Sequence, residues 1–204
     1  MDTTPQQNPL NPFLSIWVKP RATIRQIVDS DPYHYVIPIA LVTGIYQAFD
    51  QAADQTSGDH FTLIGILLLA FLLGPLRGLL SIYIGGLLFT WSGSWFGGTA
   101  DYIQVRAALA WSSVPEIVHL LLLSPYIIVY GRDWFSSSPF DVNEIGLLFL
   151  IVTSTVIFIW KGILAIICLA EVHQFSLWRS LATIICGYLI IIAPFLLLFA
   201  LLGI

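Results

Sequence analysis

Three charged side chains lie inside long apolar stretches of the sequence: Arg77, Glu116 and Lys161. If these stretches cross a membrane, each charge near the bilayer centre costs about 2.5–3.5 kcal/mol on insertion scales. We therefore expect the three side chains to face inward and to pair. Glu116 would bridge Arg77 and also Lys161, unless the lysine stem snorkels partway toward the headgroups. Such a network either only holds its helices together or lines a polar cavity for an ion, a proton or an anionic headgroup.

Further polar side chains accompany Glu116 in its apolar segment. They follow at helical spacings of three and four residues: Ser112, Ser113 and His119. Pro115 has no N–H to donate, so the carbonyl of Trp111 is left without its helical partner in the same place. The sequence thus predicts one polar face near the middle of this helix.

A stripe of small residues marks the segment that carries Arg77. Its members share one helix face: Gly74, Gly78, Ser81 and Gly85. Small residues at this spacing let a second backbone approach closely. We expect the stripe to pack against another helix, with Arg77 carried toward that neighbour, or to join two copies of the chain.

No pattern in the sequence is typical of an enzyme. The four histidines do not pair at metal-ligand spacing: His34, His60, His119 and His173. No glycine-rich loop ends in a phosphate-binding lysine, and the segment Gly93–Gly97 is typical of a turn rather than a nucleophile elbow. Cys168 and Cys186 lie in apolar segments, where we expect small apolar fillers rather than a disulfide or a zinc site. We expect no enzymatic activity, no metal and no cofactor.

Composition indicates the environment of the chain. Of 204 residues, 57% are hydrophobic and only 10% are charged, and the mean hydropathy is +0.86. A soluble domain carries about 25% charged residues. This chain has too few charged residues to cover its surface with polar groups in water. A bilayer makes the composition workable, because lipid-facing side chains need not be polar. The net charge of −4 and the lack of a long basic run argue against nucleic-acid binding.

The predicted fold is all-α, a polytopic transmembrane helical bundle. Five apolar segments are assigned as spans: residues 35–50, 62–91, 102–129, 145–169 and 181–202. The polar residues 1–11 are predicted to be a flexible tail. Residues 12–30 are predicted to be an interfacial helical segment interrupted at Pro20, and residues 31–204 a single transmembrane domain.

The distribution of cations predicts the orientation. Lys19, Arg21 and Arg25 precede the first span, the loop after that span has no Lys or Arg, and the loop after the third span has only Arg132. Because Lys and Arg concentrate on the cytoplasmic side, we expect a cytoplasmic N-terminus. An odd number of spans then places the C-terminus outside a cell membrane, the inner membrane if the source is bacterial.

Two amphipathic segments are expected on that cytoplasmic side. Their candidate interface residues are Trp17, Lys19, Arg21, Arg25, Glu171, His173, Trp178 and Arg179. The first segment is either an interfacial helix or an ordinary positive flank. The second is either a solvated loop with its tryptophan at headgroup level or a docking surface formed with the first.

Several phrases, read in order, resemble the Yip family, membrane proteins first named as interactors of Ypt/Rab GTPases. The phrases are Asn11–Arg21, Gly74–Leu80, Gly97–Gly98, Ala110–Pro115 and Glu171–Arg179. The resemblance implies five helices and a cytoplasmic N-terminus. The resemblance is closest to the short bacterial members, because the long N-terminal region of eukaryotic members is missing. The absence of that region argues against GTPase binding. Glu116 and Lys161 depart from the family's pattern.

Two functions remain open at this stage. The first is a non-enzymatic membrane protein that organises or adapts membrane proteins or lipids. The alternative is a small transporter or channel-like protein that uses Arg77, Glu116 and Lys161. The expected partners are the lipid bilayer and either other membrane proteins or a second copy of the chain.

Overall fold

The structure, a computed structural model, describes residues 11–137 and 144–202. These ranges contain helices and short turns and no strand. The α-helices are α1 (Pro12–Ser15), α2 (Pro20–Ser30), α3 (Val36–Asp54), α4 (Leu63–Trp95), α5 (Tyr102–Ser112), α6 (Val114–Tyr130), α7 (Glu144–Val172) and α8 (Leu177–Leu202). Two 3₁₀ turns lie at Ser57–Asp59 and Gly131–Phe135. The predicted flexible tail lies outside the described residues except for Asn11, whose side chain accepts a hydrogen bond from the backbone N–H of Phe13.

Four helical stretches are long and apolar enough to cross a membrane. They are Leu63–Trp95, Tyr102–Phe135, Leu148–Val172 and Leu177–Pro194. The segment predicted as the first span, residues 35–50, is helical but is not among them. Gln47, Asp50 and Gln51 lower the hydropathy of the second half of α3. The described residues therefore supply four candidate spans by length and hydropathy, where the sequence predicts five.

Glycines make the contact between α3 and α4. A Cβ atom added to Gly44 of α3 would lie 2.7 Å from the backbone nitrogen of Gly78. A Cβ atom added to Gly74 would lie 2.8 Å from the Cα atom of Ile45. Both separations are shorter than real Cβ contacts, so the two backbones touch directly and no larger side chain fits between them.

The predicted span over residues 102–129 consists of two helices. α5 ends at Ser112 and α6 begins at Val114. The cause is Pro115, which has no N–H and therefore cannot continue the hydrogen-bond ladder of α5. The N–H of Glu116 donates instead to the carbonyl of Ser113, at 2.9 Å. The break places Glu116 in the first turn of α6, where it is buried.

One end of the bundle carries α1, α2 and the turn between α7 and α8, and is called the α2 end below. The apolar side of α2, with Ile24 and Ile27, is buried against α5 and α7. This side of α2 therefore packs on protein and is not available to lipid. The indole Nε1 of Trp111 donates to the carbonyl of His34 at 3.1 Å, which ties the segment before α3 to α5.

The opposite end is closed by contacts between the two 3₁₀ turns. The Nε of Arg132 donates to the carbonyl of Gly58 at 2.6 Å. The backbone N–H of Ser137 donates to Asp59 at 3.1 Å. Hydrogen bonds from the side chain and the backbone of Ser137 lower the pKa of Asp59, because they favour its charged form.

Candidate functional site

Glu116 is the centre of a buried polar cluster. The residue is 6% exposed, and its Oε1 atom forms an ion pair with the Nζ atom of Lys161 on α7. Its other oxygen accepts a hydrogen bond from the Nε2 atom of Gln47 on α3, at 3.2 Å. Two helices thus satisfy the two carboxylate oxygens. One third of the Lys161 side chain is exposed, toward a groove described below.

Arg77 takes other partners than Glu116. Its guanidinium donates to the side-chain oxygen of Gln51 and to the carbonyl of Gln47, the latter at 3.5 Å. Gln47 therefore stands between the arginine and the carboxylate, contacting one through its carbonyl and the other through its amide. The direct bridge between Glu116 and Arg77 that the sequence predicts is not formed, because the contact of α3 with α4 places Gln47 there.

The remaining members of the predicted polar face divide into two groups. The hydroxyls of Ser112 and Ser113 donate back to the carbonyl of Leu109, at 2.8 and 3.1 Å. They therefore do not join Glu116. The Nδ1 atom of His119 lies 3.0 Å from the hydroxyl of Tyr46 on α3, while its buried Nε2 atom has no hydrogen-bond partner within the described residues.

A half-open cavity of about 380 Å³, called the groove below, lies beside this cluster. Helices α4, α7 and α8 form its sides, with α3 and α5 behind. Its polar lining is Thr43, Gln47, Arg77, Ser81, Ser112, Ser113 and Lys161, and its apolar lining includes Leu88, Phe89, Ile184 and Ile191. Leu80 and Ile84 in the lining are each half exposed, so the mouth lies on the outer apolar surface of the bundle.

The predicted stripe of small residues is divided between two neighbours and the groove. Gly74 and Gly78 face α3. A Cβ atom on Gly85 would lie 3.0 Å from the side chain of Leu109 on α5. Ser81 lies between them, exposed in the groove. The stripe therefore packs α4 inside the bundle along most of its length and leaves only Ser81 open.

At the α2 end, Glu171 joins the two predicted amphipathic segments. The carboxylate is 8% exposed and accepts a hydrogen bond from the Nε atom of Arg25 at 2.6 Å. The guanidinium of Arg21 lies 3.8 Å from it. A buried carboxylate of α7 thus holds α2 through two arginines that remain half exposed.

His173 is buried and closely packed beside the turn after α4. Its ring packs on Gly93 and Gly98, where a Cβ atom on Gly93 would lie 2.6 Å from the ring. The Nε2 atom lies 3.2 Å from the carbonyl of Phe89, and the Nδ1 atom has no partner within the described residues. Burial lowers the pKa of His173, because the charged imidazolium is poorly solvated there.

Of the remaining predicted interface residues, all except Trp17 are exposed at the surface. Trp178 is 80% exposed, and Lys19 and Arg179 are also exposed. Trp17 is partly buried against the core. The two tryptophans therefore have different surroundings, one packed on protein and one open.

A model of the Yip1 domain matches residues 14–201 of the chain. The chain belongs to the Yip family. This match confirms the resemblance read from the five sequence phrases. No curated protein and no solved structure matches the chain at a significant level.

Three of the sequence phrases that resemble the Yip family lie beside the buried polar residues described above. Ala110–Pro115 forms the break between α5 and α6 next to Glu116. Gly97–Gly98 and Glu171–Arg179 meet where Gly98 seats the ring of His173 and the N–H of Thr99 donates to the carbonyl of His173 at 3.3 Å.

Two features of the site do not follow from the sequence reasoning. The first is Gln47, which binds Glu116 and separates it from Arg77. In the sequence, only its spacing of four residues from Gln51 indicates a polar face on this helix. Arg106 is 6% exposed and lies among tyrosine rings that come from distant parts of the chain. No local sequence pattern predicts that these rings surround Arg106.

Proposed function

We propose that this Yip-family member is a non-enzymatic membrane protein that organises the membrane by holding a lipid in the groove. The groove itself is the observation that supports the proposal, since it combines an apolar wall with cationic side chains and opens on the outer apolar surface. Its volume of about 380 Å³ lies in the range of small-ligand sites, about 300–1,000 Å³.

The proposal includes five spans, with α3 as the fifth. The second half of α3 carries the polar residues Gln47, Asp50 and Gln51, but seven residues of the helix are buried and its glycine contact holds it against α4. A helix shielded in this way needs less hydropathy than one that faces lipid. The cations Lys19, Arg21, Arg25 and Arg179 lie at the α2 end, which favours that end as the cytoplasmic one. The C-terminus would then be outside.

Charge favours an acidic lipid as the occupant. Among the groove-lining residues, the charge of Lys161 is balanced by Glu116. Arg77 is bound by the neutral side chain of Gln51 and a carbonyl of Gln47. Asp50 acts on it electrostatically but forms no ion pair with it within 4.0 Å. An anionic headgroup would bind the guanidinium directly through charge-assisted hydrogen bonds.

The depth of Arg77 would place the headgroup of a bound lipid below its usual position at the membrane surface. Arg77 follows the start of α4 by 14 residues, about 21 Å at 1.5 Å per residue. It therefore lies well inside a bilayer whose apolar core is about 30 Å thick. A headgroup at that depth needs polar protein atoms around it, which Arg77, Ser81 and Lys161 offer in the groove.

Photo-crosslinking tests this function. The full-length protein is reconstituted with a photoactivatable phosphatidylglycerol, and crosslinks are mapped by mass spectrometry. We expect labels on the groove wall near Leu88, and much weaker labelling there in a Ser81→Phe variant, whose ring fills the opening. The matched control is Leu72→Phe on the same helix, since Leu72 is 70% exposed and lies outside the groove. Equal labelling in all three proteins would disprove the proposal.

A second candidate function, proton or ion movement, is favoured by one observation. Tyr46 and His119 are hydrogen-bonded inside the bundle. Tyr46 directly precedes Gln47, and His119 follows Glu116 by about one helical turn, so this pair lies beside the cluster of Gln47, Glu116 and Lys161. Proton flux into liposomes that contain the protein tests this candidate. Flux that disappears in a folded Glu116→Gln variant would favour transport, whereas no flux in the unmodified protein would reject it.

A further inference from the structure

Arg106 of α5 lies in a cage of three tyrosine rings. Its guanidinium carbon is 4.9 Å from the ring centre of Tyr83, 5.4 Å from that of Tyr33 and 5.6 Å from that of Tyr102. The rings come from the segment before α3, from α4 and from the start of α5. All three separations lie within the range of cation–π attraction, up to about 6 Å.

The cage leaves the charge of Arg106 without a counter-ion. Within the described residues no carboxylate lies within 4.0 Å of its guanidinium, and it is 6% exposed. Its buried Nε atom has no hydrogen-bond partner there either. Aromatic faces attract a cation but do not replace acceptors for the five N–H donors of a guanidinium. A buried unpaired cation is costly, so an anion at this position would be strongly favoured.

The cage is open on the outer surface of the bundle. Tyr33 is 58% exposed and Tyr83 is 41% exposed. No hydrogen bond joins the hydroxyls of these two or of Tyr102 to another described residue, which leaves three donors beside the guanidinium. Phosphate oxygens are the acceptors that a planar guanidinium and neighbouring hydroxyls bind best.

The position along the helix fits a headgroup. Arg106 follows the first residue of α5 by four positions, about 6 Å at 1.5 Å per residue. It therefore lies close to the α2 end, at the depth where lipid phosphates and tyrosines meet at a membrane surface. Arg106 is not part of the lining of the groove, so this is a separate place on the molecule.

We propose that Arg106, Tyr33, Tyr83 and Tyr102 bind the phosphate group of an anionic phospholipid in the leaflet at the α2 end. The guanidinium supplies the positive charge, and the tyrosine hydroxyls donate hydrogen bonds to the phosphate oxygens. An anionic lipid is favoured over a zwitterionic one, because it neutralises the arginine without bringing a second cation into the cage.

Native mass spectrometry of the full-length protein tests this site. The protein is released from nanodiscs that contain equal amounts of phosphatidylglycerol and phosphatidylcholine, and the retained lipid is identified. We expect preferential retention of phosphatidylglycerol. Arg106→Gln should lower it about tenfold, the equivalent of about 1.4 kcal/mol from a lost charge-assisted contact.

A second variant distinguishes binding from a purely structural cage. Tyr83→Phe keeps the ring that faces the cation and removes only the hydroxyl, so folding and cation–π attraction are retained. We expect it to retain severalfold less phosphatidylglycerol, whereas Tyr126→Phe, at the other end of the bundle, should retain normal amounts. Unchanged retention in both Tyr83→Phe and Arg106→Gln would overturn the proposal.

A third arm separates lipid from free phosphate. Inorganic phosphate and glycerol phosphate are titrated into delipidated protein in detergent, and thermal stability is followed. Stabilisation by phosphatidylglycerol at concentrations far below those needed for the free anions supports the lipid assignment. Equal stabilisation by the free anions would show a phosphate site without a lipid and would contradict the proposal.

Discussion

Replacing Lys161 by Met should destabilise the protein strongly, because it removes one partner of a buried ion pair. Methionine keeps most of the apolar stem, so the packing of α7 changes little. What is lost is the ammonium that pairs with Glu116, whose side chain is 8% exposed. The carboxylate is then left with the hydrogen bond from Gln47 alone.

The expected size of the effect follows from that uncompensated charge. Removing one member of a buried ion pair typically costs about 3–5 kcal/mol. One third of the Lys161 side chain is exposed to the groove, so a value near the lower limit, about 3 kcal/mol, is expected. Adding Glu116→Gln removes the stranded charge, and Gln can still bond to Gln47. The double variant should therefore regain most of the lost stability and lie within about 1 kcal/mol of the unmodified protein.

Denaturant unfolding in detergent, followed by tryptophan fluorescence, measures these differences in the free energy of unfolding. Arg77→Met is the matched control, since it removes a cation of α4 that is bonded to neutral groups instead of a carboxylate. It should cost less than Lys161→Met. The reasoning is wrong if Lys161→Met unfolds like the unmodified protein, or if the costs of the two single changes simply add in the double variant.

Three further predictions concern packing, pH and the attachment of α2. Gly78→Ala places a methyl group against the backbone carbonyl of Ala40 on α3 and should lower the free energy of unfolding by about 1–3 kcal/mol. Gly162→Ala has open space around it and should be neutral or slightly stabilising in the same unfolding assay. In the unfolded chain, His173 has its ordinary pKa of 6.5 and takes up a proton when the pH falls below that value. In the folded protein, burial lowers the pKa of His173, so the imidazole stays neutral over the same range. Stability should thus fall as pH drops from 7 to 5, and His173→Gln should reduce this pH slope; an unchanged slope would contradict the burial argument. Arg25→Ala should speed hydrogen exchange in α2 more than Arg21→Ala does, because only Arg25 donates directly to the buried carboxylate of α7; equal exchange rates would argue against that anchor.

Much of the helical fold follows from the sequence because its signals are local. Long apolar runs place α4, α7 and α8 within a few residues of their observed bounds, and Pro20 separates α1 from α2 as predicted by its missing N–H. The break at Ser113 was foreseeable from Pro115, but a continuous apolar run favoured one uninterrupted helix. Local chemistry thus predicts where helices start and stop better than run length alone.

Pairing between helices could be predicted only in part. Three charges in apolar helices are expected to face inward and pair. The structure brings Glu116 and Lys161 together, whereas Arg77 is exposed and takes other partners. Which cation meets the carboxylate depends on the rotation of each helix, and the close glycine contact of α3 with α4 decides it by placing Gln47 beside Arg77. The tyrosine cage of Arg106 could not be predicted for the same reason, since its rings meet only through the packing of three separate segments.

Lipid binding in the groove is tested most directly by an experimental density map of the full-length protein in phosphatidylglycerol nanodiscs. We predict an elongated density along Leu88 and Ile184, with its polar end within hydrogen-bond distance of Arg77 or Lys161. A groove that is empty, closed by its own side chains or filled by a continuous column of water would contradict lipid binding there.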